Sequence, residues 1–210
     1  MSKVKVVVED DMHPIFKANQ LTKHLEGDEQ MLVFLPGVAD VREAVKIFDE
    51  SYHKTSYPLF ANQDPKEQDK FINLGQVFFS TTIAETSLTF KNLKFVIDSG
   101  KIRVPVYDHK KRATELLDIR APDSTLSQRK GRLGRLQTIG TYYLCSDIAL
   151  HTLPFLESEI EKMDILDVYF SVLRCTKDLD TSYVKKVMEA IPVNNENILK
   201  EKIKFAEIDL

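Results

Sequence analysis

The chain has 210 residues, 43% of them hydrophobic and 29% charged, with a formal net charge of −3. That is a globular composition, long enough for one large domain or for one domain and a small companion. It argues against a membrane protein or an exported one: no apolar run approaches the length of a membrane span, and the opening MSKVKVVVEDD lacks the apolar core of a secretory signal. An intracellular place, cytoplasm or nucleus, is expected. Cys145 and Cys175 share no metal-type spacing with each other or with the five histidines, which reads as two reduced thiols and no metal centre.

In chain order, KVKVVVE reads as a strand and His13 to Leu25 as a helix, with GDEQ as the turn that follows. MLVFLPG (31–37) is a short continuous apolar run ending in Pro-Gly, the pattern of a strand buried on both faces. The next stretch, ADVREAVKIFDESYHK, repeats apolar residues at Val41, Ala44, Val45 and Phe48 and predicts an amphipathic helix. YPLFA predicts a short strand. A helix follows over roughly 65–74, with Pro65 in its first turn. QVFFST and LKFVIDSG are further strands, IRVPVYD and ELLDIRA pair as a hairpin around HKKRAT, TLSQRKGRLGRL reads as a helix, and GTYYLCSD closes the set. Buried strands alternating with helices predict an α/β domain over 1–150, a mainly parallel sheet with helices on both faces. Residues 151–210 carry helical patterns without strands between them and form a small, mostly helical appendage.

Charge is not spread evenly. Lys101 to Arg135 holds ten Lys/Arg against four Asp/Glu, whereas the rest of the chain is acidic. A basic segment in an acidic protein suggests a polyanion partner. Its densest part is QRKGRLGR (128–135), which puts two glycines and four cations in eight positions despite the cost of both to a helix. On a continuous helix Gln128, Arg132 and Arg135 fall at i, i+4 and i+7, one stripe of an amide and two guanidiniums. Such a stripe suits phosphoryl transfer, the guanidiniums neutralising phosphate charge and the amide orienting a water. Gly131 and Gly134 would let a backbone or ligand come close, and Arg129 and Lys130 point elsewhere, towards carboxylates or nucleic acid. FFSTTIAETSLTF (78–90) runs an apolar strand into a loop with hydroxyls at Ser80, Thr81, Thr82, Thr86, Ser87 and Thr89 around the single Glu85. Hydroxyls and free backbone N–H groups at the carboxyl end of a buried strand make a phosphate-binding edge.

LVFLPG, FFSTTIAETSLTF with FVIDSG, and SQRKGRLGR resemble in order and spacing motifs IV, V and VI of the DEAH/DExH helicases of superfamily 2. PLFANQDPKEQDKF looks like the segment between motifs IV and V, and IRVPVYD…TELLDIRAPDSTLSQR like the strand pair before motif VI. The resemblance covers nearly all of 1–150 and implies the C-terminal RecA-like domain of an RNA helicase. Residues 151–210 resemble the start of the winged-helix domain that follows in that family. Lys130 resembles the poxvirus members, where cellular ones carry Ala, and implies a large-DNA-virus type found in host cytoplasm or virion. Thr82 departs from the family's Asn, and Lys101 from its aromatic.

The resemblance implies that Arg132 and Arg135 are arginine fingers, that Gln128 places the attacking water, and that Ser80 senses the γ-phosphate. It implies that Phe71 stacks on adenine, although a place in the core of its helix is an equal reading. Thr81 and Thr82, with Arg129 and Lys130, would hold single-stranded RNA, with DNA as the alternative. ATP and Mg are the implied cofactors. The sequence has no G-x-x-x-x-G-K-[ST] loop and no D-E-x-H, so the Mg ligands are expected in a first RecA-like domain, the implied partner, and the fragment is expected to be inactive alone. The competing reading is a nucleic-acid-binding or assembly module that keeps the fold without the motor.

Overall fold

A computed structural model describes residues 3–108, 111, 113–133, 139–146, 159–176, 179–193 and 196–208. The elements follow in the order β1 (Lys3–Val8), α1 (Pro14–Thr22), β2 (Gln30–Phe34), α2 (Val38–Tyr52), β3 (Tyr57–Leu59), α3 (Pro65–Leu74), β4 (Val77–Ser80), β5 (Leu93–Asp98), β6 (Lys101–Asp108), β7 (Ala113–Arg120), α4 (Asp123–Lys130) and β8 (Ile139–Leu144). A 3-10 turn, Thr82–Glu85, follows β4. Helices α5 (Glu159–Lys162), α6 (Leu166–Arg174), α7 (Thr181–Glu189) and α8 (Glu196–Ile208) complete the chain.

Six strands make one parallel sheet in the order β1-β8-β5-β2-β4-β3, and β6 and β7 form a two-stranded sheet of their own. The apolar runs hold the middle, as continuous hydrophobicity requires: every residue of β2 and of β4 is buried. Pro58 stands in the edge strand β3, where its missing N–H breaks no ladder on the open side. Alternation then divides the core. Met31 and Val33 pack with Ile15, Ala18, Val41 and Phe48 of α1 and α2, while Leu32 and Phe34 join Ile72 of α3, Leu88, Val96 and Leu133. The sheet is therefore covered on both faces, the mainly parallel α/β arrangement expected.

By its internal contacts the chain divides into two compact units, Met1–Arg103 with Asp118–Phe155, and Val104–Leu117 with Leu156–Leu210. The outer part of β6 and most of β7 group with the second. The second has its own core, in which Ile165, Tyr169, Leu173, Val184, Met188, Leu199 and Ile203 meet. Its amphipathic helices are marginal singly and are held by that shared apolar face. Among the described residues no helix is long and apolar enough to cross a membrane.

The largest departure from expectation is α4, which stops at Lys130 rather than running to 136. Gly131 N still bonds to Ser127 O at 2.9 Å, but Arg132 N and Leu133 N turn to Arg129 O and Lys130 O at 3.2 and 3.1 Å. The helix has tightened into i−3 turns. Two features explain the stop. Gly131 is a poor helix residue with an ordinary right-handed backbone, φ −63°, where a Cβ would lie 3.2 Å from Ser127 O. Leu133 is drawn onto the sheet over Gly140 of β8, so closely that a Cβ on Gly140 would sit 2.6 Å from it.

Candidate functional site

The hydroxyl loop starts at the buried end of β4. Ser80 has no exposed surface, and its Oγ lies 3.1 Å from Leu59 O and 3.0 Å from Thr81 O, either of which can accept its proton. Ser80 O accepts from Leu35 N at 2.9 Å, and Thr81 N donates to Leu59 O at 3.2 Å. This serine is thus tied into the carboxyl ends of β2, β3 and β4. Thr81 is half-buried at the start of the 3-10 turn, whereas Thr82, Thr86, Ser87 and Thr89 are exposed. Their hydroxyls line the surface of the loop.

The same loop turns Glu85 inward, where it meets Arg129. Arg129 is completely buried; its Nε donates to Glu85 Oε1 at 2.8 Å, and its Nη1 to Asp98 Oδ1 at 2.7 Å and Lys101 O at 3.2 Å. The Phe34 ring lies 4.9 Å from its Cζ, a cation–π contact. Asp98, at the end of β5 and fully buried, also accepts from Gly100 N at 2.8 Å and from the Tyr142 hydroxyl at 2.6 Å. Two carboxylates, a guanidinium and a phenol therefore share one buried cluster.

Burial pushes the Glu85 carboxyl above its ordinary range, because the loss of water outweighs the attraction of Arg129. Arg129 is held more firmly protonated than usual: burial alone would weaken it, but Asp98 and Glu85 overcome that. Tyr142 is raised by burial and by the neighbouring Asp98 charge, so it stays a neutral donor.

Arg129 was expected to turn towards carboxylates or nucleic acid, and the structure places it on two carboxylates instead of among nucleic-acid contacts. A guanidinium without exposed surface, engaged by two carboxylates, does not reach a phosphate. Arg132 is also turned inward, 4% exposed; its Nη1 donates to Leu88 O at 2.8 Å and its Nη2 to Glu85 O. Gln128 and Lys130 are exposed near the end of α4. The stripe of Gln128 and Arg132 on one helical face is therefore not formed, because the chain has left the helix before Arg132. Arg135 and Gly134 lie outside the described residues.

Phe71 is half-buried on α3, its ring centroid 5.0 Å from that of Tyr57, and it packs against the second core cluster. Glu85, Asp98 and Tyr142 were not anticipated as site residues. Two of them carried a signal: Glu85 is the one acid in the hydroxyl loop, and Asp98 directly follows the apolar run FVI. A second arginine with two carboxylate partners lies nearer the surface. Arg103 of β6 bonds to Asp118 Oδ1 through Nε at 2.6 Å and pairs with Asp40 Oδ2 through Nη1 at 2.9 Å, and its side chain is 26% exposed.

The family model described as helicase conserved C-terminal domain matches residues 16–137. Among similar proteins, the ATP-dependent RNA helicase HrpA of Borreliella burgdorferi is 33% identical over 133 residues, covering 60% of this chain and 16% of that protein. An ATP-dependent RNA helicase HrpA homolog of Haemophilus influenzae is 29% identical over 171 residues, 78% of this chain and 13% of its own length. The chain thus spans about a sixth or less of these relatives. The solved structure of Escherichia coli DEAH/RHA helicase HrpB shares the fold, with a TM-score of 0.71 at 24% identity over 94% of this chain and 27% of that one.

Proposed function

This chain belongs to the helicase conserved C-terminal domain family, as the C-terminal RecA-like domain of a DEAH/DExH helicase, and we propose that it supplies one half of an ATP-driven RNA-unwinding motor. The observation that carries this reading is the joint at Glu85. The hydroxyl loop after β4 is fastened there to the last turn of α4 through Arg129 and to the turn that follows through Arg132. A motor needs that arrangement, since groups that hold the nucleic-acid backbone must sense groups that face the nucleotide.

The roles divide by exposure. Thr82 and Lys130, both exposed, and Thr81 contact the phosphates of single-stranded RNA, with DNA as the alternative strand. Gln128 places the attacking water. Arg135 and Arg132 neutralise charge on the transferred phosphoryl group, and Arg135 takes the larger share because the Arg132 guanidinium is engaged by the Glu85 and Leu88 carbonyls. Ser80 couples γ-phosphate to the loop through the strand ends it joins, and Phe71 stacks on the adenine beside Tyr57. Magnesium and the phosphate loop belong to a first RecA-like domain, which acts as partner; this domain alone does not turn ATP over. Residues 151–210 begin a winged-helix domain, unwinding runs 3′→5′, and the protein works inside the cell. Lys130 is the feature that supports a viral type, while the relatives compared above are bacterial.

The test is ATP hydrolysis by this chain joined to a first RecA-like domain, with and without single-stranded RNA. Arg135→Ala should cost roughly 10³ to 10⁵ in rate, the value of an arginine finger, with thermal melts showing that the mutant folds. Lys130→Ala should cost far less in hydrolysis and weaken RNA binding in a salt-dependent manner. RNA-stimulated turnover by the unjoined chain, or a harmless Arg135→Ala, would overturn the half-motor reading.

A further inference from the structure

The two edges of the main sheet are finished differently. At one, β3 has three residues, and Pro58 lacks the N–H that a further strand would need. At the other, β1 is six residues long, KVKVVV, without proline or glycine. Glu9 N donates to Leu144 O at 2.9 Å, so the odd-numbered positions of this strand turn their main-chain groups towards β8. By alternation Val4, Val6 and Val8 direct N–H and C=O away from the sheet, and among the described residues no strand meets them. The side chains of these three valines share one face. Val4 packs against the second core cluster, but Val6 is 51% and Val8 38% exposed. An apolar, unpaired edge of this length is a template for another strand. Charge selects which one. The chain is basic where the strand begins (KVK, 3–5) and acidic just past its end (EDD, 9–11). A second copy laid antiparallel sets each basic start beside the other's acidic end, whereas a parallel copy would stack like charges at both.

We propose that β1 is a self-association edge, at which two copies of this chain pair antiparallel about a two-fold axis at Val6. The two six-stranded sheets then become one continuous sheet. With Val6 opposite Val6, the outward main-chain groups face one another in phase, and Val4 meets Val8 on either side. Position 3 falls opposite position 9 at both ends, and Lys5 lies diagonal to Glu9 of the other copy. The valines left exposed in one chain are covered by those of the second. Such a pair closes on itself, because each copy has one edge of this kind. The proposal does not draw on the motor reading: β8, β5 and β2 separate β1 from β4, so the edge lies across the sheet from the hydroxyl loop.

The experiment follows this chain by sedimentation over a wide range of concentration and reads amide hydrogen exchange in β1 at both ends of the range. The mass should rise from 24.1 kDa to twice that value as concentration increases. The Val4, Val6 and Val8 amides should gain protection in step with it, while the Lys5 and Val7 amides, which face β8, stay protected throughout. Val6→Lys should hold the chain at the single mass with the melting temperature of the dilute wild type, since it alters an exposed side chain. Val6→Pro should do the same, because the N–H it deletes faces away from β8; should that variant not fold, Val6→Lys carries the test. Lys5→Glu should weaken the pairing, and the weakening should fade in molar salt. A wild type that keeps the single mass overturns the proposal, and protected valine amides in it would mean that something other than a second copy covers the edge. A dimer that survives Val6→Lys, or that forms without protecting these amides, pairs elsewhere and overturns it as well. The motor reading stands or falls separately, on the hydrolysis test above.

Discussion

Arg129 and Arg103 each hold two carboxylates, yet they illustrate opposite uses of an ion pair. Arg103 bonds to Asp118 and Asp40 where water reaches all three. Arg129 holds Glu85 and Asp98 with none of its own surface exposed. At the surface the Coulomb gain is weakened by water and offset by side-chain entropy, so such a pair contributes about 0–1 kcal/mol. In the interior the attraction is stronger, but so is the cost of removing charge from water. The two partners divide: the Glu85 carboxyl is raised in spite of an arginine at 2.8 Å, whereas the Arg129 guanidinium is held more firmly charged by its two carboxylates. Asp118, by contrast, is lowered, chiefly by its hydrogen bond from Arg103. A short salt bridge is therefore no measure of stabilisation. The buried cluster is better regarded as a device for holding a loop and a turn in one arrangement, since losing any member strands the others.

The contrast can be broken most directly by removing each arginine. Arg129→Leu should cost roughly 3–5 kcal/mol, the penalty for leaving buried charges without a partner, as read by urea unfolding at neutral pH. A loss below about 1 kcal/mol would place it with the surface pairs. Tyr142→Phe removes a donor to the charged Asp98 and should cost about 1.5–3 kcal/mol. The expected loss for Arg103→Ala is no more than about 1 kcal/mol, and it should shrink further in molar salt, whereas the Arg129→Leu penalty should persist.

The smallest effect lies in acid and carries opposite signs at the two sites. Asp118 has a folded pKa below its unfolded value, so its stabilisation is present above the unfolded value and is lost as pH falls through the folded one. Glu85 has a raised folded pKa, so the fold binds its proton more tightly than the unfolded chain does, and its contribution favours the fold below the unfolded value and fades as pH rises. Asp118→Asn should flatten the acid-side loss of stability, and Glu85→Gln should steepen it. Melting curves from neutral pH down to the acid transition will separate them. Two slopes that change in the same direction would contradict the opposite shifts.

Sequence alone determined the order and kind of nearly every element of the sheet domain, because the signals were local. Unbroken apolar runs such as MLVFL and VFF suit strands covered on both faces, and Pro65 marked the start of α3, to which the structure adds an Asp64 cap whose Oδ1 accepts from Lys66 N. The motifs likewise brought the hydroxyl loop and the cationic stretch forward as the candidate site. Tertiary structure decided where the described side chains of that stretch lie and what they bond to. Whether Arg129 faces RNA or the interior depends on Glu85 and Asp98, 44 and 31 residues distant along the chain, and no helical period contains that information. Where α4 ends depended on the pocket that Gly140 leaves for Leu133. Periodicity reports which face of an element is apolar; the neighbours supplied by the fold decide which buried charge has a partner, because only they set how much water each charge has lost.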